Sequence, residues 1–146
     1  MQLALGLYVA YNVAATVVSV PAGRMGDRKG STLVLTAGIA LFGASYVGFA
    51  IGGTSVLALA PTFLLSGVAI GCVETSQNAA VASVAPTEVR GSAFGVFAGI
   101  QSSGNLAASA VAGVLWTAIS PTTAFAYLAV WMVIALVALL GVRSIS

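Results

Sequence analysis

Amide and carboxyl side chains interrupt three apolar stretches of this sequence, and they are the residues best suited to chemistry. They are Asn12, Glu74, Gln77, Asn78, Gln101 and Asn105. A polar or ionisable group in an apolar segment costs free energy unless it is paired, protonated or wetted, so it often marks the route of a proton or solute. We predict that these six side chains line such a route, with Glu74 as the candidate proton carrier.

The composition indicates a membrane protein. Of the 146 residues, 60% are hydrophobic and 5% are charged, whereas a soluble domain carries about 25% charged residues. The net charge of +2 is too small and too localised to indicate nucleic-acid binding. With one cysteine, Cys72, and no histidine, neither an internal disulfide framework nor an ordinary metal site is expected. We predict no cofactor, and lipid as the surroundings.

The apolar stretches predict an all-α fold of five transmembrane helices in a single domain, 1–146. A spanning helix needs about 20 apolar residues, and five such stretches occur, at about 2–22, 32–51, 56–84, 88–117 and 121–142. All four prolines (Pro21, Pro61, Pro86 and Pro121) fall near the proposed ends, where the missing amide donor is tolerated.

The basic residues predict the orientation in the membrane. They are Arg24, Arg28, Lys29, Arg90 and Arg143. All five follow the first, third or fifth predicted helix, and the two opposite connections, 52–55 and 117–120, carry no charge. Basic connections stay on the cytoplasmic side. We therefore expect a multi-pass protein of the inner or plasma membrane, with 23–31, 85–91 and the carboxyl terminus in the cytoplasm.

The polar groups of three helices fall at one depth. At a rise of about 1.5 Å per residue, Glu74 lies about 13 Å from the inner end of its helix, near the middle of a bilayer core. Asn12 and Gln101 lie at similar depths, and the second and fifth helices carry no charge or amide inside their spans. Helices 1, 3 and 4 are therefore predicted to line a cavity, and helices 2 and 5 to face lipid.

Each polar residue also has a structural interpretation. Glu74 could brace the helices as a protonated carboxyl or by pairing with Arg90 or Arg24. The amides could hydrogen-bond between helices. Glycines spaced by four residues, Gly91–Gly95–Gly99 and Gly67–Gly71, favour close helix packing.

The segment 23–30 resembles a signature of the major facilitator superfamily, G-x-x-x-D-R-x-G followed by two basic residues. Gly23, Asp27, Arg28 and Gly30 match it, while Ser31 and Thr32 replace the basic pair, as is common in the second copy. We interpret this segment as a tight, glycine-bounded turn.

A second segment strengthens the resemblance. Pro86 to Gly91, with Arg90, is similar to the P-x-x-x-R-G connection that enters helix 11 of these transporters. The resemblance implies that the chain is helices 8 to 12 of a twelve-helix secondary transporter, of which helices 8, 10 and 11 line the pathway and helices 9 and 12 are peripheral. The implied partners are a small solute, protons if transport is coupled to them, and the missing amino-terminal half.

The resemblance has limits. The signature aspartate, here Asp27, would contact a helix of the absent half. Val81 stands where the sugar-porter branch has an arginine seven residues after the acid, so that pairing is absent. A transport-inactive fragment or a small helical subunit is the alternative. An intramembrane enzyme is not expected, since no span holds a histidine, an aspartate or a pair of acids.

Overall fold

The computed structural model describes residues 2–51 and 55–143, and describes no side chain at 56–57 or 142–143. The described residues form α1 (Gln2–Lys29), α2 (Ser31–Ile51), α3 (Val56–Val84), a 3-10 turn (Thr87–Val89), α4 (Arg90–Ala118) and α5 (Pro121–Arg143), with no strand among them. The all-α prediction is confirmed. Residues 52–54 of the predicted second connection lie outside the described residues.

Length and apolar composition suit most of these helices to a membrane. Among the described residues, four are long and apolar enough to cross one: Gln2–Lys29, Ser31–Ile51, Ala58–Val84 and Pro121–Gly141. The remaining long helix, α4, has 29 residues, as many as α3. It is less apolar because it contains the polar residues between Gln101 and Asn105. That α4 crosses the membrane is therefore a prediction from its length.

The tight turn predicted from Gly23 to Gly30 is wrong, because α1 continues through Lys29. Only Gly30 breaks the helix, at a φ of 91°, and its amide donates to the carbonyl of Gly26 at 2.9 Å. This is the usual left-handed glycine cap of a helix end. Arg28 and Lys29 in the last turn favour the helix because they lie at the negative end of its dipole.

The fourth helix begins two residues after its predicted start at about Glu88. Residues Thr87–Val89 form a 3-10 turn, and α4 begins at Arg90. Pro86 precedes the turn with an extended ψ of 147°. The backbone therefore enters α4 through one tighter turn, a common arrangement at helix ends.

Backbone contact joins α1 to α3, and two glycines permit it. A Cβ at Gly67 would collide with the carbonyl oxygen of Tyr11, and a Cβ at Gly71 would lie 2.6 Å from that of Ala15. Both contacts put the two backbones against each other with no side chain between them. The stripe predicted for close packing on α3 is thus filled by α1.

The second helix is more central than predicted. It packs against α1, α3 and α5. The absence of charges and amides from its span had predicted that it faces lipid. Val34, Gly38 and Ser45 of α2 are buried, and a Cβ at Gly38 would lie 3.1 Å from the carbonyl oxygen of Ala69 on α3. The absence of amides therefore did not mean exposure, because small apolar residues suit a helix for burial equally well.

Buried hydroxyl groups find partners inside their own helices. Ser45, Ser66 and Ser76 are each at most 6% exposed. Each donates to a carbonyl three or four residues earlier, at 2.8 to 2.9 Å. Because these hydroxyls need no partner on another helix, the helices can pack through small, mostly apolar surfaces.

Candidate solute pathway

Three of the predicted site residues, Glu74, Gln77 and Asn78, lie on α3, which packs against α1 and α2. Glu74 and Asn78 are exposed and Gln77 is half-buried, whereas Ser76 between them is buried. Glu74 lies ten residues before Val84, or about 15 Å from the end of the helix. The exposed polar residues of α3 and the buried Ser76 therefore lie on different sides of the helix.

One predicted pair is brought together across two helices. The Gln101 side-chain amide of α4 donates to the Gln77 side-chain oxygen of α3 at 3.5 Å. Within the described residues, no other hydrogen bond joins side chains of two different helices. Gln77 and Gln101, which the sequence predicts at one level, are therefore in contact across α3 and α4.

Asn12, by contrast, forms its hydrogen bonds within α1. Its side-chain amide donates to the Tyr8 carbonyl at 2.8 Å, and its backbone carbonyl accepts from the Thr16 hydroxyl at 2.9 Å. Asn12 faces a shallow cavity of about 350 Å³ on the exposed side of α1. Among the described residues α1 and α4 do not contact each other, so Asn12 is not brought to Gln101 or Asn105.

The sequence reasoning did not include Tyr11 in the site. This residue is half-buried on α1 and lies close enough to Glu74 to interact with it electrostatically. Tyr11 and Glu74 are thus the acid–phenol neighbours of the α1–α3 contact. The signal was present in the sequence, because Tyr11 is adjacent to Asn12 and so lies at the same depth.

Glu74 has no cationic partner in the described residues. The structural interpretation paired it with Arg90 or Arg24, but the Arg90 guanidinium donates to the Ala82 carbonyl at 3.0 Å, and neither arginine forms an ion pair with Glu74 there. The acid is left exposed on the polar face of α3.

A further cavity lies between the helices. It has a volume of about 580 Å³ and is bordered by side chains of all five helices. Aromatic rings dominate its wall: Phe125 stacks on Phe49 at 5.0 Å between ring centroids, and Trp116 meets Phe125 edge-on at 5.7 Å. Asn12, Glu74 and Gln101 do not border it, but Tyr11, which interacts electrostatically with Glu74, does.

Comparison with known proteins supplies the family. The sequence model of the Major Facilitator Superfamily matches residues 1–145. The chain belongs to this superfamily. It is also 34% identical over 125 residues to an uncharacterized MFS-type transporter of Methanocaldococcus jannaschii, an alignment that covers 84% of this chain and 30% of that protein.

The signature residues of this superfamily chain lie at the end of α1. Gly23 is half-buried, and a Cβ there would lie 3.6 Å from the Thr75 side chain of α3. Asp27 and Arg28 are exposed, and neither forms an ion pair within the described residues. Because both side chains are exposed, these charges are accessible to contacts beyond the described residues.

The second signature segment fixes the connection between α3 and α4. The Arg90 guanidinium caps the Ala82 carbonyl in the last turn of α3, and Gly91 follows it in the first turn of α4. The Glu88 carboxylate accepts from the Thr87 hydroxyl at 3.0 Å. A backbone hydrogen bond, assisted by that hydroxyl, holds the pKa of Glu88 below its usual value.

Proposed function

We propose that this chain is the carboxyl-terminal part, helices 8 to 12, of a secondary transporter that moves a small solute by alternating access. The family match over residues 1–145 is the observation that carries the proposal. Its two halves would rock around a site at the middle of the membrane. Because the chain spans 30% of the length of its matched relative, the activity belongs to a longer protein.

We assign the solute pathway to Asn12, Glu74, Gln77, Asn78, Gln101 and Asn105. Four of these side chains are exposed and two are half-buried, so the described chain leaves the polar row largely uncovered. The Gln77–Gln101 hydrogen bond supports a common level for α3 and α4. Since α1 and α4 do not meet here, the path needs the missing amino-terminal half to become enclosed.

Glu74 is our candidate for proton coupling. Acids inside membrane spans are rare and face protein or water-filled space. Within the described residues it has no hydrogen bond or ion pair that would hold it as a fixed brace. Its neighbour Tyr11 supplies a second titratable group on the facing helix.

We place the carboxyl terminus and segments 23–31 and 85–91 in the cytoplasm, at the inner or plasma membrane. The end of α1, with Arg24, Arg28 and Lys29, and the start of α4, with Arg90, carry the basic residues that support this orientation. Single cysteines at Arg28 and Arg90, introduced with Cys72 replaced by serine, should both react with a membrane-impermeant maleimide only from the cytoplasmic side. Labelling from opposite sides would refute the orientation.

The function is tested with the complete transporter in proteoliposomes. Uptake is screened over drug, sugar and metabolite classes with an imposed pH gradient, and the Glu74→Gln variant is then compared with Glu88→Gln. We expect Glu74→Gln to abolish proton-driven uptake and Glu88→Gln to retain it, because Glu88 lies in the exposed turn before α4. Normal coupled uptake by Glu74→Gln would remove the coupling role, and no uptake of any solute would remove the transport proposal.

A transport-inactive fragment, or a small helical subunit of another membrane protein, is the second candidate. It is favoured by the same 30% coverage of the relative. The DNA upstream of the codon for Met1 separates the two. An in-frame stretch that encodes about seven further apolar helices, each of about 20 residues, supports the transporter, and a nearby stop codon supports the fragment.

A further inference from the structure

The end of α1 carries a shallow basic cleft of about 300 Å³. Two rows of side chains border it. Arg24 and Arg28 form one row, and Pro21, Met25 and Lys29 form the other. Residues four apart are neighbours along one side of a helix, so both rows run along the helix axis. This surface is called the α1 cleft below.

The α1 cleft lies at the level of the lipid headgroups. Helix α1 has 28 residues, which extend over about 42 Å at 1.5 Å per residue, whereas the hydrocarbon core of a bilayer is about 30 Å thick. About eight residues of α1 therefore extend beyond the core. Because no charged residue precedes Arg24 in α1, the part outside the core is its carboxyl end. The cations of the cleft thus lie beside the phosphates of the lipid.

The charge of this segment is not balanced within the described chain. Residues 24–29 hold three cations and one carboxylate, that of Asp27, so their net charge is three minus one, +2. Asp27 does not border the cleft, and none of the four charged groups forms an ion pair with a described residue. Like charges four residues apart repel each other on a helix. An anion that contacts both Arg24 and Arg28 would remove this repulsion.

The chemistry of the cleft fits an anionic phospholipid. An arginine guanidinium binds phosphate oxygens through two parallel N–H donors, and a lysine ammonium adds a compact positive charge. On the membrane side of these cations lie two apolar side chains, Pro21 and Met25. Met25 is held in place because it packs on the buried cluster of Ala22, Val34 and Cys72. A phosphate can therefore contact the cations while the glycerol and the first acyl carbons contact this apolar surface. A free phosphate would leave that surface uncovered.

We propose that the α1 cleft binds the headgroup of one anionic phospholipid from the adjacent leaflet. The phosphate bridges Arg24 and Arg28, the Lys29 ammonium contacts a further headgroup oxygen, and an acyl chain continues along Val17, which is 65% exposed. Arg24 and Lys29 are not among the residues that match the superfamily signature. The proposal goes beyond the proposed function, since it requires that α1 crosses a membrane and does not depend on which solute is moved.

Lipid retention by the complete transporter tests this. The transporter is reconstituted in nanodiscs of phosphatidylcholine with increasing amounts of phosphatidylglycerol, and native mass spectrometry of the released protein counts the lipids that stay bound. Arg24→Gln and Lys29→Gln are compared with Arg90→Gln. The control also removes one positive charge, but the Arg90 guanidinium donates to the Ala82 carbonyl and does not border the cleft. A parallel series adds glycerol phosphate, which has the phosphate without the acyl chains.

We expect the unmodified transporter to retain one phosphatidylglycerol in preference to phosphatidylcholine. Arg24→Gln and Lys29→Gln should each weaken that retention roughly tenfold, as the loss of a hydrogen bond to a charged group does, and Arg90→Gln should leave it unchanged. Both cleft variants replace exposed side chains, and either one decides if the other fails to fold.

Four results would overturn the proposal. Equal retention of the two lipids would show no preference for an anionic headgroup, and an equal loss in Arg90→Gln would show a general effect of charge. Displacement of phosphatidylglycerol by an equal concentration of glycerol phosphate would assign the cleft to a free phosphate. Unchanged retention in both cleft variants would assign it to contact with the rest of the transporter.

Discussion

Helices α3 and α4 have the same length and carry glycines at the same spacing, yet the structure uses them differently. Gly67 and Gly71 of α3 lie against the backbone of α1. Gly91, Gly95 and Gly99 of α4 meet nothing within 4 Å. The difference shows that a glycine stripe marks a surface that permits close approach, while the contact depends on which helix lies opposite.

The two helices also differ in how their polar residues are placed. Packing on α3 buries Ser76 and leaves Glu74 exposed, so the helix has a buried face and a polar face. No described residue of α4 is buried. Of its polar residues between Gln101 and Asn105, Gln101 forms a hydrogen bond to Gln77 of α3. Of the two helices, α3 is therefore the one whose polar residues are held in position by packing against neighbouring helices.

The largest expected effect separates the two stripes directly. Replacing Gly71 by leucine places a side chain against the Ala15 backbone, 2.6 Å from its carbonyl oxygen at the Cβ, and overpacking of this kind costs about 1–3 kcal/mol or more. A Cβ at the exposed Gly95 would meet no atom within 4 Å, so Gly95→Leu should not lower the stability of the chain. Unfolding of the isolated 146-residue chain in mixed micelles by SDS titration measures both.

The same pair of variants sharpens the comparison in the complete transporter. If a further helix covers α4, Gly95→Leu should become destabilising there while remaining harmless in the isolated chain. Equal losses for Gly71→Leu and Gly95→Leu in the isolated chain would show that the two stripes are packed alike, contrary to the structure.

A smaller effect is expected where α3 passes into α4. Arg90→Gln removes the guanidinium that caps the Ala82 carbonyl at 3.0 Å, and a hydrogen bond of this kind contributes about 1 kcal/mol. We expect faster hydrogen exchange at the Ala85 amide, which closes the last turn of α3. Arg24→Gln is the control, because Arg24 makes no such bond within the described residues; equal acceleration by both variants would contradict the cap.

The hydrogen bond between the two helices should be weaker still. A double-mutant cycle with Gln77→Leu and Gln101→Leu should give a coupling free energy of about 0.6 kcal/mol, the average for such bonds in membranes. The cycle of Gln77→Leu with Asn105→Leu should give none, since Asn105 does not bond Gln77. Equal coupling in both cycles would assign the effect to general packing.

The smallest effect concerns the turn that starts α4. The pKa of Glu88 lies below its ordinary value of 4.5 because a backbone hydrogen bond and the Thr87 hydroxyl favour the carboxylate. Because the pKa of Glu88 is lower in the folded than in the unfolded protein, its carboxylate stabilises the folded state above pH 4.5. This contribution is lost as the pH falls through the pKa of the folded state. Thr87→Val should raise the Glu88 pKa in a carbon-13 NMR titration, and an unchanged pKa would rule out the hydroxyl's part.

Sequence reasoning succeeded where composition and spacing have one physical outcome. Long apolar stretches in lipid form helices because no water satisfies the backbone, and α2, α3 and α5 lie close to their predicted bounds. It failed at 23–30, where glycines and charges were interpreted as a turn. Both residue types are compatible with the last turns of a helix outside the bilayer core, and only Gly30, with its positive φ, ends α1.

The sequence anticipated one contact of the candidate site and not another. Gln77 and Gln101 were placed at one level, and they hydrogen-bond. Asn12 was placed there too, but its amide turns back to the Tyr8 carbonyl, an option within any helix that depth cannot exclude. The aromatic cavity was not predicted, because its wall collects rings from stretches distant in sequence whose lateral order is set by packing.

By itself the sequence determined that this chain consists of membrane helices and where most of them begin and end, and it predicts how deep the amides and the acid lie. These properties follow from hydropathy and from the fixed rise of a helix. Only the tertiary structure decided that α1 covers the glycines of α3, that α2 is central, and that α4 stands apart beside an aromatic cavity. Lateral neighbours depend on shape complementarity between helices that are all similarly apolar, so hydropathy cannot distinguish them.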